Sequence, residues 1–325
     1  MSAELHFKYL PMPNKIDLLY DRASMLREAR DFFFKRNIRE VDCPAITKFA
    51  SVDTHIDLIP VSYLETETRY LHSSPEYGMK RLLSMNIGDI YQLAHVFRDE
   101  DYGLKHNPEF MMAEWYRMNF EFTEMIDETI DFIKLFIGDI PVKKISYRDA
   151  FLKYAGLDYL NKTATELLNF LKEKEIDLYP GIENQGKDEL LNMIMGIMIE
   201  KELGQDEILV LYHYPASQAA LAKTLLCADE LVAERFEIYY EGVELCNGYR
   251  ELTSEEEQRK RLLEANLTRI SYQKKSLPID EYFLESLKKG IPDCCGVAVG
   301  FDRLMMLRHG VKDIENVISF GFDKA

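Results

Sequence analysis

Apolar positions near the start of the chain recur with a helical period. Between Leu19 and Phe33 they return every three or four residues, with charged residues on the other face, which predicts one long amphipathic helix. Asn37 lies just past the expected end, where a left-handed cap is plausible, and an extended segment closed by Pro44 follows. The chain is therefore predicted to open with a helix and then a strand.

The middle of the chain mixes strand-like runs with helical stretches. Residues 68–72 and 89–98 read as strands, and the stretch 75–85 between them has a helical period. Residues 112–118 predict another strand, and residues 122–136 return to a helical period. Strands and helices thus alternate up to about residue 140.

The second half of the chain contains a segment of different character. Residues 141–207 hold lysine- and glutamate-rich helical stretches, and we expect them to form an inserted helical subdomain. Strand patterns then resume at 208–214, 234–240, 243–247 and 297–300. Strands on both sides of one insertion predict an α+β fold, with a single mixed, mainly antiparallel sheet flanked by helices.

A charged helix over 254–270 interrupts these later strands. Ser254 is followed three residues later by Glu257, which is the pattern of a capping box at a helix start. The chain has no GxGxxG run after a strand and no GxxxxGK[ST] run. Any nucleotide must therefore be held in another way.

Composition and charge narrow the classes of function. The chain has 325 residues, of which 47% are hydrophobic and 30% charged, as in ordinary globular proteins. Its net charge of −16 disfavours tRNA or DNA as a partner. Five scattered cysteines form no disulfide framework, which favours a reducing compartment, and no stretch resembles a targeting or membrane segment. We expect a cytoplasmic protein without a membrane partner.

Three clusters carry candidate chemistry. Arg98-Asp99-Glu100, with the following run 106–110, could project a guanidinium and carboxylates into a cleft, or could be a solvated turn. The run 296–303 combines small and apolar residues before a helix, which leaves room for a flat ligand or forms an ordinary packed strand. Each cluster alone is open to both interpretations.

The remaining cluster is a pair of carboxylates. Glu244 and Glu251 lie seven residues apart, so an unbroken strand would point them to opposite faces, but Gly248 allows a bulge that redirects one of them. The pair could then bind a divalent cation or an ammonium group, or both could be surface carboxylates.

The clusters together, in this order, resemble a known family. The runs 98–110 and 296–303 resemble motifs 2 and 3 of class II aminoacyl-tRNA synthetases, and the segment 36–44 resembles motif 1, with Asn37 where a glycine is usual. His72 to Tyr77, the run 106–110, Glu114 to Tyr116, and Glu244 to Leu252 are similar to the catalytic domain of lysyl-tRNA synthetase.

The resemblance implies a domain organisation. A catalytic domain covers residues 17–325 after a tail at 1–16, with the helical insertion at about 141–207. Too few residues precede the first helix for an anticodon-binding domain, so we expect none. That departure, Ala298 in place of the middle glycine of motif 3, and the run 212–221 resemble stand-alone paralogues that ligate (R)-β-lysine to a lysine of elongation factor P.

The resemblance also implies cofactors, partners and roles. The implied activity is an ATP-dependent ligase that forms an adenylate with Mg²⁺, acts on elongation factor P, forms a homodimer and uses no tRNA. The implied catalytic residues are Arg98 and Arg303, and the implied Mg²⁺ ligands are Glu244 and Glu251. The implied ATP-binding residues are Arg98, Asp99, Glu100, Asn107, Glu244, Leu245, Gly300 and Arg303. The implied substrate-binding residues are Ser74, Pro75, Glu76, Tyr116, Glu251 and Ala298.

Two other functions stay open from the sequence. One is a truncated lysyl-tRNA synthetase that acts on tRNA, and the other is a catalytically silent, synthetase-like partner protein. The residues implied by the resemblance are all present, which favours an active enzyme over the silent alternative.

Overall fold

A computed structural model of the protein describes residues 14–99 and 102–325. The helices are α1 Lys15–Lys35, α2 Glu76–Leu83, α3 Phe122–Ile137, α4 Tyr147–Ala150, α5 Ala164–Glu173, α6 Lys187–Ile194, α7 Glu255–Ser271, α8 Glu281–Lys289 and α9 Phe301–His309. The strands are β1 Arg39–Glu40, β2 Ile46–Thr47, β3 Pro60–Tyr63, β4 Glu67–Leu71, β5 Ile90–Phe97, β6 Glu109–Met118, β7 Val142–Ser146, β8 Ile208–Pro215, β9 Thr224–Cys227, β10 Glu230–Tyr240, β11 Val243–Arg250 and β12 Cys294–Gly300. Of the tail expected at residues 1–16, the first 13 residues lie outside the described residues.

Among these residues, nine strands form one mixed sheet. Its order is β1-β5-β6-β12-β11-β10-β8-β7, with β9 paired to β10, and the strands β2, β4 and β3 form a small separate sheet. The edge pairs β1–β5 and β7–β8 are parallel, and the other pairs are antiparallel. The predicted mixed, mainly antiparallel sheet is confirmed.

Alternating side chains divide the sheet between separate cores. On β6, Trp115 packs in a core with residues of α1, α3 and α9, whereas Tyr116 belongs to a second core with α2, α7 and α8. On β8, Ile208 and Val210 join the first core, whereas Leu209 and Leu211 pack against the segment that follows β7. The face that carries Tyr116 is the one on which the main cavity opens.

The first helix ends as its sequence predicts. Helix α1 runs to Lys35, and Asn37 then adopts a left-handed conformation with φ of 56°. An asparagine tolerates this conformation better than most residues because its short polar side chain can hydrogen-bond locally. The chain can therefore turn directly into β1.

The expected helical insertion begins with a strand. Val142–Ser146 pairs in parallel with β8 at the sheet edge, so a wholly helical segment from 141 is wrong at its start. Residues 147–207 contain helices, including a π-helical turn at Met195–Ile199, and their apolar side chains pack against Leu209, Leu211 and Tyr239 of the sheet. The segment therefore shares a core with the sheet.

The capping box predicted at α7 is half formed. The Ser254 hydroxyl accepts a hydrogen bond from the backbone N–H of Glu257, at 3.3 Å. The Glu257 carboxylate instead accepts from Arg261 one turn further along the helix, at 3.0 Å. Arg261 therefore binds the Glu257 carboxylate, which in a complete capping box would accept a hydrogen bond from the backbone N–H of Ser254.

No helix among residues 14–99 and 102–325 is both long and apolar enough to cross a membrane.

Candidate active site

One large cavity opens on the sheet face that carries Tyr116. Its volume is about 1060 Å³, and its walls come from β6, β10, β11, β12, helix α7, the loop 51–56 and part of the segment 147–207. Strand β11 runs along the cavity from Glu244 to Arg250, and Glu251 follows directly after it. The two ends of this strand carry different chemistry.

The first end, which we call the arginine end, consists of Arg98, Arg303, Glu237 and Glu244. The Arg303 guanidinium donates to the backbone carbonyl of Glu244 at 2.8 Å and lies 2.7 Å from Nε2 of His106. The Arg98 guanidinium lies over the Phe110 ring, 5.0 Å from its centroid. Two cations held in place on one cavity wall suit the binding of phosphate groups.

Two carboxylates face these arginines. Burial and the charge of Glu237 raise the pKa of Glu244, although Arg303 and Arg98 act to lower it. The Glu237 carboxylate accepts hydrogen bonds from Arg235 at 2.6 Å and from the Tyr239 hydroxyl at 2.5 Å. Because the charge of Glu237 opposes the ionisation of Glu244, an added cation would stabilise the charged form of Glu244.

A bulge in β11 sets the direction of Glu244, and it is not at Gly248. Glu244 pairs with Tyr239 and Cys246 pairs with Ile238, so Leu245 is the extra residue. Gly248 is required for another reason, because an added Cβ would lie 2.4 Å from the Phe236 ring. The predicted bulge is therefore present but three residues earlier.

Glu244 and Glu251 both line the cavity and lie near opposite ends of β11, roughly 20 Å apart along the strand. Their assignment as Mg²⁺ ligands stays a prediction. Within the part of the chain that the structure describes, no group of three His, Cys, Asp or Glu side chains could hold a metal ion. Mg²⁺ in nucleotide sites needs one or two carboxylates besides phosphate oxygens, so Glu244 could hold it together with Glu251 or with Glu237 on the neighbouring strand.

The other end, which we call the carboxylate end, consists of Glu76, Lys80, Glu114 and Glu251. Lys80 is fully buried, and its ammonium group forms ion pairs with Glu251 at 2.6 Å and with Glu76. Burial acts to lower the pKa of Lys80, but the charges of Glu251 and Glu76 outweigh it and raise that pKa. Lys80 is therefore a permanent cation between two carboxylates.

Glu114 is the third carboxylate of this end, and among the described residues it forms no ion pair with a lysine. Its two oxygens accept hydrogen bonds from the Ser74 hydroxyl at 2.6 Å and the Tyr116 hydroxyl at 2.7 Å. Burial and the charge of Glu76 raise the pKa of Glu114 to about 8. Three carboxyl groups surround a single lysine, so this end of the cavity can pair with a positively charged group of a ligand.

Small residues of β12 form the floor between the two ends. A Cβ on Gly296 would lie 2.4 Å from both Glu251 Oε1 and the Tyr116 ring, so only glycine fits there. Ala298 and Gly300 line the same cavity further along the strand. Between the two glycines, the methyl group of Ala298 is thus the side chain that projects from β12 into the middle of the floor.

The family profile described as "tRNA synthetases class II (D, K and N)" matches residues 4–324. The chain belongs to this family. Three curated relatives carry the name "Elongation factor P--(R)-beta-lysine ligase". The protein from Avibacterium paragallinarum is 41% identical over 95% of this chain and 97% of its own length. Those from Pasteurella multocida (strain Pm70) and Haemophilus influenzae (strain PittGG) are 39% and 38% identical, over 95% and 94% of this chain and 96% and 95% of their own lengths. The resemblance found in the sequence is confirmed.

Most residues implied by the family resemblance line the cavity. They are Ser74, Glu76, Arg98, Asn107, Tyr116, Glu244, Leu245, Glu251, Ala298, Gly300 and Arg303. Pro75 does not, because it is buried at the start of α2, and Asp99 does not, because it is exposed and its backbone N–H bonds to Asp57. Glu100 lies outside the described residues. The roles assigned to the lining residues stay predictions.

Asn107 has a structural use that the motif did not reveal. Its Nδ2 donates to the carbonyl of Glu109 at 2.6 Å, and its Oδ1 accepts from the backbone N–H of Phe322 at 3.1 Å. The side chain therefore joins the motif 2 loop to the C-terminal segment while it lines the cavity.

Four cavity-end residues were missing from the set predicted from the sequence: Lys80, Glu114, Glu237 and Gln258. Lys80 follows Glu76 by one helical turn, and this spacing is typical of an ion pair on the surface of a helix. The sequence pattern therefore did not indicate that Lys80 is buried. Glu114 belongs to the family-like run that ends in Tyr116, so the alternation of β6 could have placed both on the cavity face.

Proposed function

We propose that the protein activates (R)-β-lysine with ATP and ligates it to a lysine side chain of elongation factor P. The observation that carries this proposal is a cavity with two arginines at one end and three carboxylates around a buried lysine at the other. The names of the curated relatives agree with it. A substrate with one carboxylate and two ammonium groups would be oriented by such a cavity.

The first step would form an adenylate. A carboxylate oxygen of the substrate bonds to the α-phosphorus of ATP, and the bond from that phosphorus to pyrophosphate breaks. Arg98 and Arg303 would bind the phosphate oxygens and stabilise the negative charge that develops there. Glu237 and Glu244 would hold Mg²⁺, which supplies charge neutralisation for the phosphates when it is bound.

The second step would transfer the acyl group. The nitrogen of the acceptor amine bonds to the acyl carbon, the bond to AMP breaks, and the nitrogen loses a proton to solvent. At the carboxylate end, Glu76, Glu114 and Glu251 would hold the ammonium groups of the substrate.

We also propose that residues 17–325 form one catalytic domain with the inserted segment 141–207, and that the protein acts in the cytoplasm as a homodimer. Exposed apolar side chains of α1 support a dimer, because Phe34 is 80% and Tyr20 71% exposed. Light scattering of the purified protein tests this, and a monomeric mass at micromolar concentration would argue against it.

A transfer assay tests the proposed function. The protein is incubated with labelled (R)-β-lysine, ATP, elongation factor P and bulk tRNA, and the label in each macromolecule is counted. We expect label in elongation factor P and in none of the tRNA. An acceptor in which the modified lysine is replaced by arginine should stay unlabelled. Label in tRNA alone would instead support a truncated lysyl-tRNA synthetase.

A further inference from the structure

Gln258 is a buried side chain without a hydrogen-bond partner among the described residues. It lies on the first turns of α7 and has no exposed surface, yet it lines the large cavity. Among the described residues, neither its Oε1 nor its Nε2 has a hydrogen-bond partner. A buried amide that forms no hydrogen bond costs stability, so a protein retains one where something else uses it.

The same helix carries a contrasting amide. Asn266, two turns further along α7, is also buried, but its Nδ2 donates to the carbonyl of Leu277 at 2.9 Å and its Oδ1 accepts from the N–H of Leu277 at 2.8 Å. Asn266 therefore fastens α7 to the segment that leads into α8. Gln258 makes no such contact within the described residues and faces the cavity instead.

The position of Gln258 places it at the carboxylate end. Helix α7 begins four residues after Glu251, and Leu262, one turn beyond Gln258, packs in the same core as Tyr116. Residues four apart on a helix share a face, so Gln258 and Leu262 both turn toward this end. The arginine end lies near Glu244, at the other end of β11.

We propose that the Oε1 of Gln258 accepts a hydrogen bond from the distal ammonium group of the amino-acid substrate. The inference rests on the proposed function. A substrate whose carboxylate points to the arginine end must place its far end near Glu251 and α7. An ammonium group is a donor only, so it can bond to Oε1 but not to the Nε2 of the amide. Gln258 adds a neutral acceptor to the surrounding carboxylates, where a fourth carboxylate would add unpaired charge.

Two variants on α7 test the inference. We expect Gln258→Met to raise the KM for (R)-β-lysine about tenfold to hundredfold in pyrophosphate exchange, because a hydrogen bond to a charged group is lost. Its KM for ATP should not change, and its melting temperature should be equal or higher, because an unpartnered amide is removed. Asn266→Leu should show the reverse, with a lower melting temperature and an unchanged KM for (R)-β-lysine.

A truncated ligand identifies the group that Gln258 contacts. As a competitive inhibitor, 3-aminohexanoic acid lacks the distal amine and should bind the wild type and Gln258→Met equally well. Equal KM values for (R)-β-lysine in both proteins, or a lower melting temperature of Gln258→Met with no change in KM, would overturn the inference while the proposed function stands. No exchange by the wild type with (R)-β-lysine would overturn both.

Discussion

The arginine end and the carboxylate end of the cavity handle charge in opposite ways. At the arginine end, Arg98 lies over an aromatic ring, and Arg303 is held by a histidine and a backbone carbonyl, so two guanidinium groups line one wall of the cavity. At the carboxylate end, Glu76 and Glu251 share the one buried charge of Lys80. Strand β11 thus joins a wall that carries two arginines to a wall that carries three carboxylates, and under the proposed function this arrangement would fix the direction of a substrate with a carboxylate and ammonium groups.

The largest effect is expected from the arginine end. Arg303→Ala should lower (R)-β-lysine-dependent pyrophosphate exchange about 10²- to 10³-fold, because a donor aimed at the developing phosphate charge is removed. Measured rates at saturating substrate test this. Arg259→Ala is the control, since Arg259 pairs with Glu255 and Glu281 on the surface, and its rate should equal that of the wild type. A loss below tenfold for Arg303→Ala would contradict its role.

The next effect is expected from the carboxylate end. Glu251→Gln should raise the KM for (R)-β-lysine about 30- to 100-fold and leave the KM for ATP unchanged, because a buried charge that pairs with cations is lost. Steady-state exchange kinetics give both constants. The exposed Glu281 provides a matched control in Glu281→Gln, which should alter neither constant. If the KM for ATP rose instead, the division of the cavity into two ends would be wrong.

The third effect is a dependence of binding on pH. Since the pKa of Glu114 is raised to about 8, its carboxyl is mostly protonated at pH 7 and becomes charged as the pH passes 8. The charged form attracts an ammonium group, so the affinity for (R)-β-lysine should rise by up to about tenfold from pH 7 to pH 9. Binding at pH 7 should release a proton, which calorimetry in two buffers of different ionisation heat detects. The variant Glu114→Gln should weaken both effects, with the remainder coming from Glu251, whose pKa burial raises to about 7. A flat profile in the wild type would refute the assignment.

The smallest effect concerns the floor between the two ends. Ala298→Gly should shift the preference between (R)-β-lysine and α-lysine about fivefold toward α-lysine, since one methyl group contributes about 1 kcal/mol to discrimination. Exchange rates with both isomers measure the preference. Equal rates for the two proteins would show that the methyl group of Ala298 does not choose the isomer.

The sequence predicted the elements that depend on local patterns. The helical period between Leu19 and Phe33 placed α1, and the small residues before Asp302 placed the last strand of the sheet and the helix that follows it. Most of the residues that family-like motifs identified line the cavity. These features were accessible because each one depends on residues close together in the chain.

Features that depend on distant contacts could not be predicted. Leu245 looks like any apolar strand residue, and its place as the extra residue of a bulge follows from the pairing of β10 with β11. Lys80 and Gln258 are of types that are usually exposed on helices, and only the packing of α2 and α7 against the sheet buries them. Glu237 could not be found from the sequence for the same reason, since it lies on the neighbouring strand.

The extra residue at Leu245 has a consequence for how this chain can vary. Successive side chains on a strand point to opposite faces of the sheet. Because Glu244 and Glu251 are seven residues apart, a regular strand would point them to opposite faces. The bulge restores the parity, so both reach the cavity. A chain that lacked only Leu245 would keep every functional side chain. One of the two carboxylates would nevertheless point away from the cavity and into the core. Insertions and deletions between the two carboxylates should therefore be tolerated only in steps of two.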